Sequence, residues 1–129
     1  MSRKAEKMDI SGHLDAINKA FDSVRIAAFA DLTVQLVLAD STKSNIGQEI
    51  LDDLCIQAAN AFECPALHTD NSLIDPPVEA ILMTDKGILL TLRSTEFSPN
   101  ALIFECDYDI NLKDILTMAR DTLKKTGAE

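Results

Sequence analysis

The last third of the chain constrains its fold most. VEAILMT, from Val78 to Thr84, and ILLTLRS, from Ile88 to Ser94, flank Thr84-Asp85-Lys86-Gly87. Two apolar runs on either side of a glycine-containing turn predict a β-hairpin, with Gly87 supplying the positive φ that the reversal needs. A third strand, ALIFECD, follows Ser98-Pro99-Asn100, with Leu102, Phe104 and Cys106 expected on one face and Ile103 and Glu105 on the other. INLKDILTMARDTLKK then reads as a helix whose buried stripe is Leu112, Ile115, Leu116, Ala119 and Leu123. Its start is predicted from Asn111 as cap, Asp114 near the positive end of the dipole and Ile110 stapling onto Ile115.

Upstream, Leu14, Ile17, Phe21 and Val24 recur at helical spacing, so a first helix capped by Ser11 is expected to turn Asp15, Asn18, Lys19 and Asp22 to water. RIAAFAD and VQLVLADS read as two strands bent around Asp31-Leu32-Thr33. Their near-continuous apolar character fits a sheet covered on both faces. Asn45, with Gln48 three residues on, resembles a capping box for a second helix. Along that helix Ile46, Ile50, Leu51, Leu54, Ala58 and Phe62 form a stripe that Cys55, Ala59 and Ala61 widen beyond one seam. So broad an apolar surface calls for a second covering surface as well as the sheet. The stretch from Cys64 to Pro77, broken by Pro65 and Pro76-Pro77, reads as a loop.

The order predicts an α+β domain, α-β-β-α-β-β-β-α, with a five-stranded, mostly antiparallel sheet sandwiched by helices over residues 9–125. Residues 1–8 and 126–129 read as flexible ends. At 129 residues and 47% hydrophobic content one domain is expected, its core aliphatic because the chain has no Trp and one Tyr. A net charge of -9 argues against nucleic acid, which demands clustered cations, and suits docking to a basic patch on a partner. No run approaches the ~18 apolar residues of a membrane span, and a polar start without an apolar signal region points to the cytoplasm.

Chemistry is sparse. Cys55, Cys64 and Cys106 are odd in number and lack a CxxC pair, so they read as small buried hydrophobes. Cys64, His68 and Cys106 have no evident fourth partner for zinc; no metal or other cofactor is expected. His13 reads as a surface residue. Asp52 with Asp53 and Asp107 with Asp109 are carboxylate pairs, read as a solvated helix face and a strand-to-helix turn because no third ligand is placed beside them. Without a GxSxG, P-loop or HExxH motif, no enzymatic activity is expected. Arg25 and Arg93 read as strand-edge charges in preference to residues completing a GTPase site in trans.

The opening amphipathic helix, the hairpin ending in LVLADS, the Ala-rich second helix, EAILMTDKGILLTLRS, ALIFECD and the Asn111-Leu112 helix start together resemble the roadblock family of dynein light chains and small-GTPase regulators. The resemblance covers about residues 9–125. Two glycines usual in that family are replaced here, near Thr33-Val34 and at Lys113. The resemblance implies a roadblock/profilin-like fold and a homodimer or heterodimer joined edge to edge through the third strands, with the second helices packed together. On this chain the interface residues would be Ile50, Leu51, Leu54 and Ala58 on the helix and Val78, Glu79, Ala80, Ile81, Leu82 and Met83 on the strand. The sequence offers its own reason, since that strand contains no Lys or Pro to blunt an exposed edge. The resemblance also implies a small Ras-like GTPase as partner, or a scaffolding role, any stimulation of hydrolysis coming from repositioning the GTPase's own switch residues. The exposed strip of the second helix, Asp52, Asp53, Gln57 and Asn60, is the expected partner surface. The alternative class is a small-molecule sensor of the PAS or GAF type, which requires a hollow core with convergent polar groups, for which Gln35, Thr91 and the thiols are the candidates.

Overall fold

The computed structural model describes residues 2–43, 46–63, 78–94 and 99–126. Its elements are α1 (Ser2–Ala20), β1 (Val24–Asp31), β2 (Leu36–Thr42), α2 (Gln48–Glu63), β3 (Glu79–Thr84), β4 (Gly87–Leu92), β5 (Asn100–Cys106) and α3 (Leu112–Thr126). The five strands form one sheet in the order β2-β1-β5-β4-β3, with every pairing antiparallel. The element order is the one the sequence predicts. Asn45 and the loop expected at 64–77 lie outside the described residues.

Three layers result from how the strands divide their side chains. Ala27 of β1, Leu90 and Leu92 of β4, and Leu102, Phe104 and Cys106 of β5 pack against Leu14 and Ile17 of α1 and Ile115, Ala119 and Leu123 of α3. The alternate residues Ile26, Ala28 and Ala30, with Leu89 and Ile103, pack against Leu51, Leu54, Cys55 and Ala58 of α2. The interior strand β1 carries Ala at 27, 28 and 30, all buried, as suits a strand covered on both faces. A register shift between Val24 and Ile26 doubles residues on β1, so Val24 joins the α1/α3 side while Ile26 faces α2.

The hairpin turn forms as expected: Thr84 pairs with Gly87, which has φ +145°, and the Thr84 hydroxyl accepts from the Lys86 amide at 3.1 Å. Asn111 caps α3, its Oδ1 accepting from the Asp114 amide at 3.1 Å, and Ile110 is buried in the cluster that contains Ile115. Asp31 bends the first hairpin by accepting from the Thr33 amide at 2.9 Å. The positive φ that no glycine provides there is taken by Gln35, at 55°.

Several local expectations are corrected. α1 begins at Ser2, so Ser11 lies within the helix and is not its cap. The run Arg3 to Met8 consists of strong helix formers with nothing to stop the helix before Ser11. Val24 starts β1 and does not belong to the helical stripe. Asn18 is buried, since its amide donates to Ser41 Oγ at 3.1 Å and its backbone oxygen accepts from Lys43 Nζ at 2.6 Å. The three N–H groups of the Lys43 ammonium are shared further with the Asn18 side-chain oxygen and the carbonyls of Phe21 and Val24, so it serves the Asn18 carbonyl in the last turn of α1 and ties that helix end to the start of β1. β2 is not covered on both faces: it forms one edge of the sheet, with Leu36 and Leu38 each about half exposed. The Gln48 amide donates forward to Asp52 at 2.9 Å, while its expected capping partner Asn45 lies outside the described residues.

Thr91, next to last in β4, is 1% exposed and its hydroxyl has no hydrogen-bond partner among the described residues. A buried unpaired hydroxyl carries a desolvation cost without return. Thr91→Val, which keeps the shape, is expected to raise stability by about 1 kcal/mol in urea unfolding. A loss of stability would show that the hydroxyl is in fact paired.

Candidate interaction surface

Among the described residues the edge strand β3 is bonded to β4 alone. Its side chains alternate: Ala80 and Leu82 turn toward α2, where they pack with Ala61 and Phe62, while Glu79 turns to the α3 side and meets Arg120. Ile81 and Met83 share the face of Glu79, but α3 does not reach that far along the strand. They remain 45% and 70% exposed. An edge strand with this much bare aliphatic surface and no internal Lys or Pro is a template for pairing with another strand.

The residues expected to form a dimer interface fall into two groups. Ile50, at 48% exposure, and Val78, Ile81 and Met83 present surface, with Leu82 and Glu79 half-buried beside them. Leu51, Leu54, Ala58 and Ala80 are already buried within one copy. Much of the broad apolar surface of α2 is therefore satisfied by its own sheet, and what stays outside is Ile50 on one flank and Ile56 on another.

The strip expected to bind a partner is held by bonds within the helix. Asp53 Oδ2 accepts from Gln57 Nε2 at 2.6 Å, and Asp52 accepts from Gln48. Asp52, Asp53 and Asn60 are exposed and Gln57 is half-buried. Asp53, Gln57 and Asn60 share a face at spacings of four and three. Ile50, Asp53, Leu54 and Gln57 border a small groove whose far wall is the β3–β4 turn, with Thr84, Asp85 and Lys86, and whose floor includes Leu89 and Glu105. The structure thus brings Asp53 and Gln57 of the strip, the exposed Ile50 and the end of β3 together along one margin.

Arg25 is not a loose strand-edge charge. From the β1 bulge its guanidinium reaches Glu105 and Asp107, both at 3.1 Å, and donates to the Lys86 carbonyl at 2.5 Å, tying β1 to β5 and to the hairpin turn. Asp109 accepts from Ser23 Oγ at 2.5 Å, so Asp107 and Asp109 are both engaged at the strand-to-helix turn. The Arg93 guanidinium lies 4.1 Å from the centre of the Phe62 ring. Arg120 holds Glu79 by two bonds, Nε at 2.6 Å and Nη2 at 2.7 Å, and this pairing keeps the Glu79 carboxyl below its usual range against the opposing effect of burial.

Among the described residues no three His, Cys, Asp or Glu side chains are grouped so as to hold a metal, and no helix is long and apolar enough to cross a membrane. His68 and Cys64 lie outside them. Burial pushes the Cys106 thiol up to about 12, with Arg25 offsetting it only in part. Burial, then Asp52 and Asp31, raise Cys55. Neither forms a useful thiolate near neutrality. In a Cys64→Ser chain, a thiol reagent at neutral pH is expected to label the unfolded protein fully and the folded protein hardly at all. Fast labelling of the folded protein would contradict the burial of both.

What the sequence reading missed is the exposed apolar character of the other edge, where Val34, Leu36 and Leu38 face water, and a basic depression beside β3 formed with α3. The first had no signal, since VQLVLADS is apolar at nearly every strand position. The second joins residues far apart in the chain, Glu79 with Arg120 and Lys124.

No family model and no curated protein matches the chain. A Roadblock/LC7 domain from Streptomyces avermitilis superposes with a TM-score of 0.76 at 8% identity, covering 91% of this chain and 93% of that one. The gliding protein MglB of Thermus thermophilus gives 0.69 at 16% identity, covering 89% and 85%. A profilin, LokiProfilin2, solved in complex with rabbit actin, gives 0.56 at 18% identity, covering 91% and 94%. The chain has the roadblock/LC7 fold, in the wider profilin-like class.

Proposed function

We propose that this chain is a non-catalytic, dimeric interaction module that pairs with a second copy along β3 and α2 and binds or regulates a small Ras-like GTPase or scaffolds a complex. The observation that carries the proposal is the free β3 edge, where Ile81 and Met83 lie bare on a strand with no internal Lys or Pro. The exposed Ile50 beside it extends the same surface onto α2. A symmetric contact between copies covers both at once.

The roadblock resemblance and fold support the GTPase as partner. The engagement of Arg25 with Glu105 and Asp107, and of Arg93 with Phe62, supports a role without a donated arginine, in which the module acts by holding the GTPase's own switch segments. The acidic strip of Asp52, Asp53, Gln57 and Asn60 is the proposed docking surface, suited to a basic patch on the partner. Its place is the cytoplasm.

Size-exclusion chromatography with candidate small GTPases, in their GDP form and with a non-hydrolysable GTP analogue, tests the reading. A stable complex is expected with one of them, weakened about tenfold by Asp53→Lys through like-charge repulsion with a basic patch. Unchanged binding by that variant would move the docking surface elsewhere.

A further inference from the structure

The two ends of the free edge carry opposite charge. At its start, Val78 and Glu79 border an open depression of about 460 Å³ whose remaining walls are Arg93, Ser94, Arg120, Leu123 and Lys124. Three cations stand there against one carboxylate, in a chain whose net charge is -9. Arg120 is held in place by its two bonds to Glu79, and Arg93 by the Phe62 ring. At the other end, one residue past β3, the turn puts Asp85 in water with no hydrogen-bond or ion-pair partner among the described residues.

Antiparallel pairing of two β3 strands about a two-fold axis lays the start of one strand beside the end of the other. The pleat allows only registers in which residues of the same face stand opposite. With Leu82 on the axis, each exposed Ile81 lies opposite Met83 of the second copy, which covers both bare side chains. The same register brings Asp85 of the second copy opposite Glu79, at the mouth of the depression beside Arg120 and Lys124. With Ile81 on the axis instead, Met83 would oppose the Glu79 carboxylate and Asp85 would pass beyond the cations.

We infer that a second copy of this chain pairs along β3 with Leu82 at the centre, and that its Asp85 docks against Arg120 and Lys124 to set that register. The inference rests on the self-association proposed above and adds the element that selects one alignment among those an apolar edge permits. By symmetry the charge contact forms twice. Exposed ion pairs add little affinity singly and are screened by salt, so this contact chiefly excludes registers in which Asp85 would lie beyond reach of the cations.

The test is a dilution series by light scattering on the wild-type chain and four variants. Asp85→Lys and Lys124→Glu are each expected to weaken dimerisation about tenfold, since an attraction made twice becomes a repulsion made twice. The double variant Asp85→Lys with Lys124→Glu restores it, and raised salt weakens the wild type while relieving Asp85→Lys. Failure of the double variant to recover, or indifference to Asp85→Lys, overturns the inference. Ile81→Lys separates the two readings. If it yields monomers while Asp85→Lys changes nothing, edge pairing stands without this register; if it leaves the dimer intact, or the wild type is monomeric throughout, edge pairing fails and takes the register with it.

Discussion

Gly87→Ala is expected to lower stability by about 3 kcal/mol or more, measured by urea unfolding at fixed protein concentration. Two causes act together. Gly87 has φ +145°, a region that residues bearing a Cβ rarely adopt. A Cβ built there would also lie 2.1 Å from the Cys106 carbonyl oxygen and 2.9 Å from Arg25 Nη2. The carbonyl belongs to β5, paired across the sheet at Ile88, so it cannot yield without disturbing the β4–β5 ladder. The guanidinium belongs to the clamp that joins β1, β5 and the turn. Gly12 supplies the contrast. It lies inside α1 with nothing within 4 Å of an added Cβ, so Gly12→Ala is expected to stabilise by up to about 1 kcal/mol through helix propensity. A loss under about 0.5 kcal/mol for Gly87→Ala would contradict the turn geometry.

Ile81→Lys is the second large effect. Covering the exposed part of an Ile side chain contributes on the order of 1 kcal/mol, and a symmetric interface loses that contribution twice while having to accommodate two ammonium groups. A weakening of self-association by about a hundredfold is expected. Because Ile81 is 45% exposed and belongs to none of the buried clusters, the far-ultraviolet circular dichroism and the monomer's unfolding midpoint should stay near wild type. Retained dimerisation would show that copies meet through some other surface. Collapse of the fold would show that Ile81 is structural. Leu82 would be a poorer probe, because it packs beneath α2 in a single copy.

How much of this the chain revealed in advance depended on whether a signal was local. The β3–β4 turn, the Asn111 cap and the Ile110 staple each rest on a few adjacent residues with one favourable geometry, and each was legible. So was the division of β5, where Leu102, Phe104 and Cys106 face one layer and Ile103 the other. VRIAAFAD was opaque, because apolar residues at nearly every position conceal both the alternation and the bulge at Arg25 that shifts it. The same continuity disguised β2 as an interior strand. Burial of Asn18 depended on Ser41 and Lys43, more than twenty residues away, and no helical pattern could announce it. On the proposed surface, bare Ile81 and Met83 follow from the edge position, but the separation of Ile50 from the buried Leu51 and Leu54 needed the actual rotation of α2 on the sheet.

The roadblock/LC7 fold places β3 at the margin of the sheet, and the function proposed here requires another copy to lie against it. Hydrogen exchange of the β3 amides, followed over a wide range of protein concentration, examines that requirement at the residues concerned. Slow exchange across Glu79 to Thr84 in concentrated protein, accelerating on dilution while β5 stays protected, is the predicted result. Exchange along β3 that is independent of concentration, whether fast or slow, would mean that the strand has no intermolecular partner, and self-association along this edge would have to be abandoned.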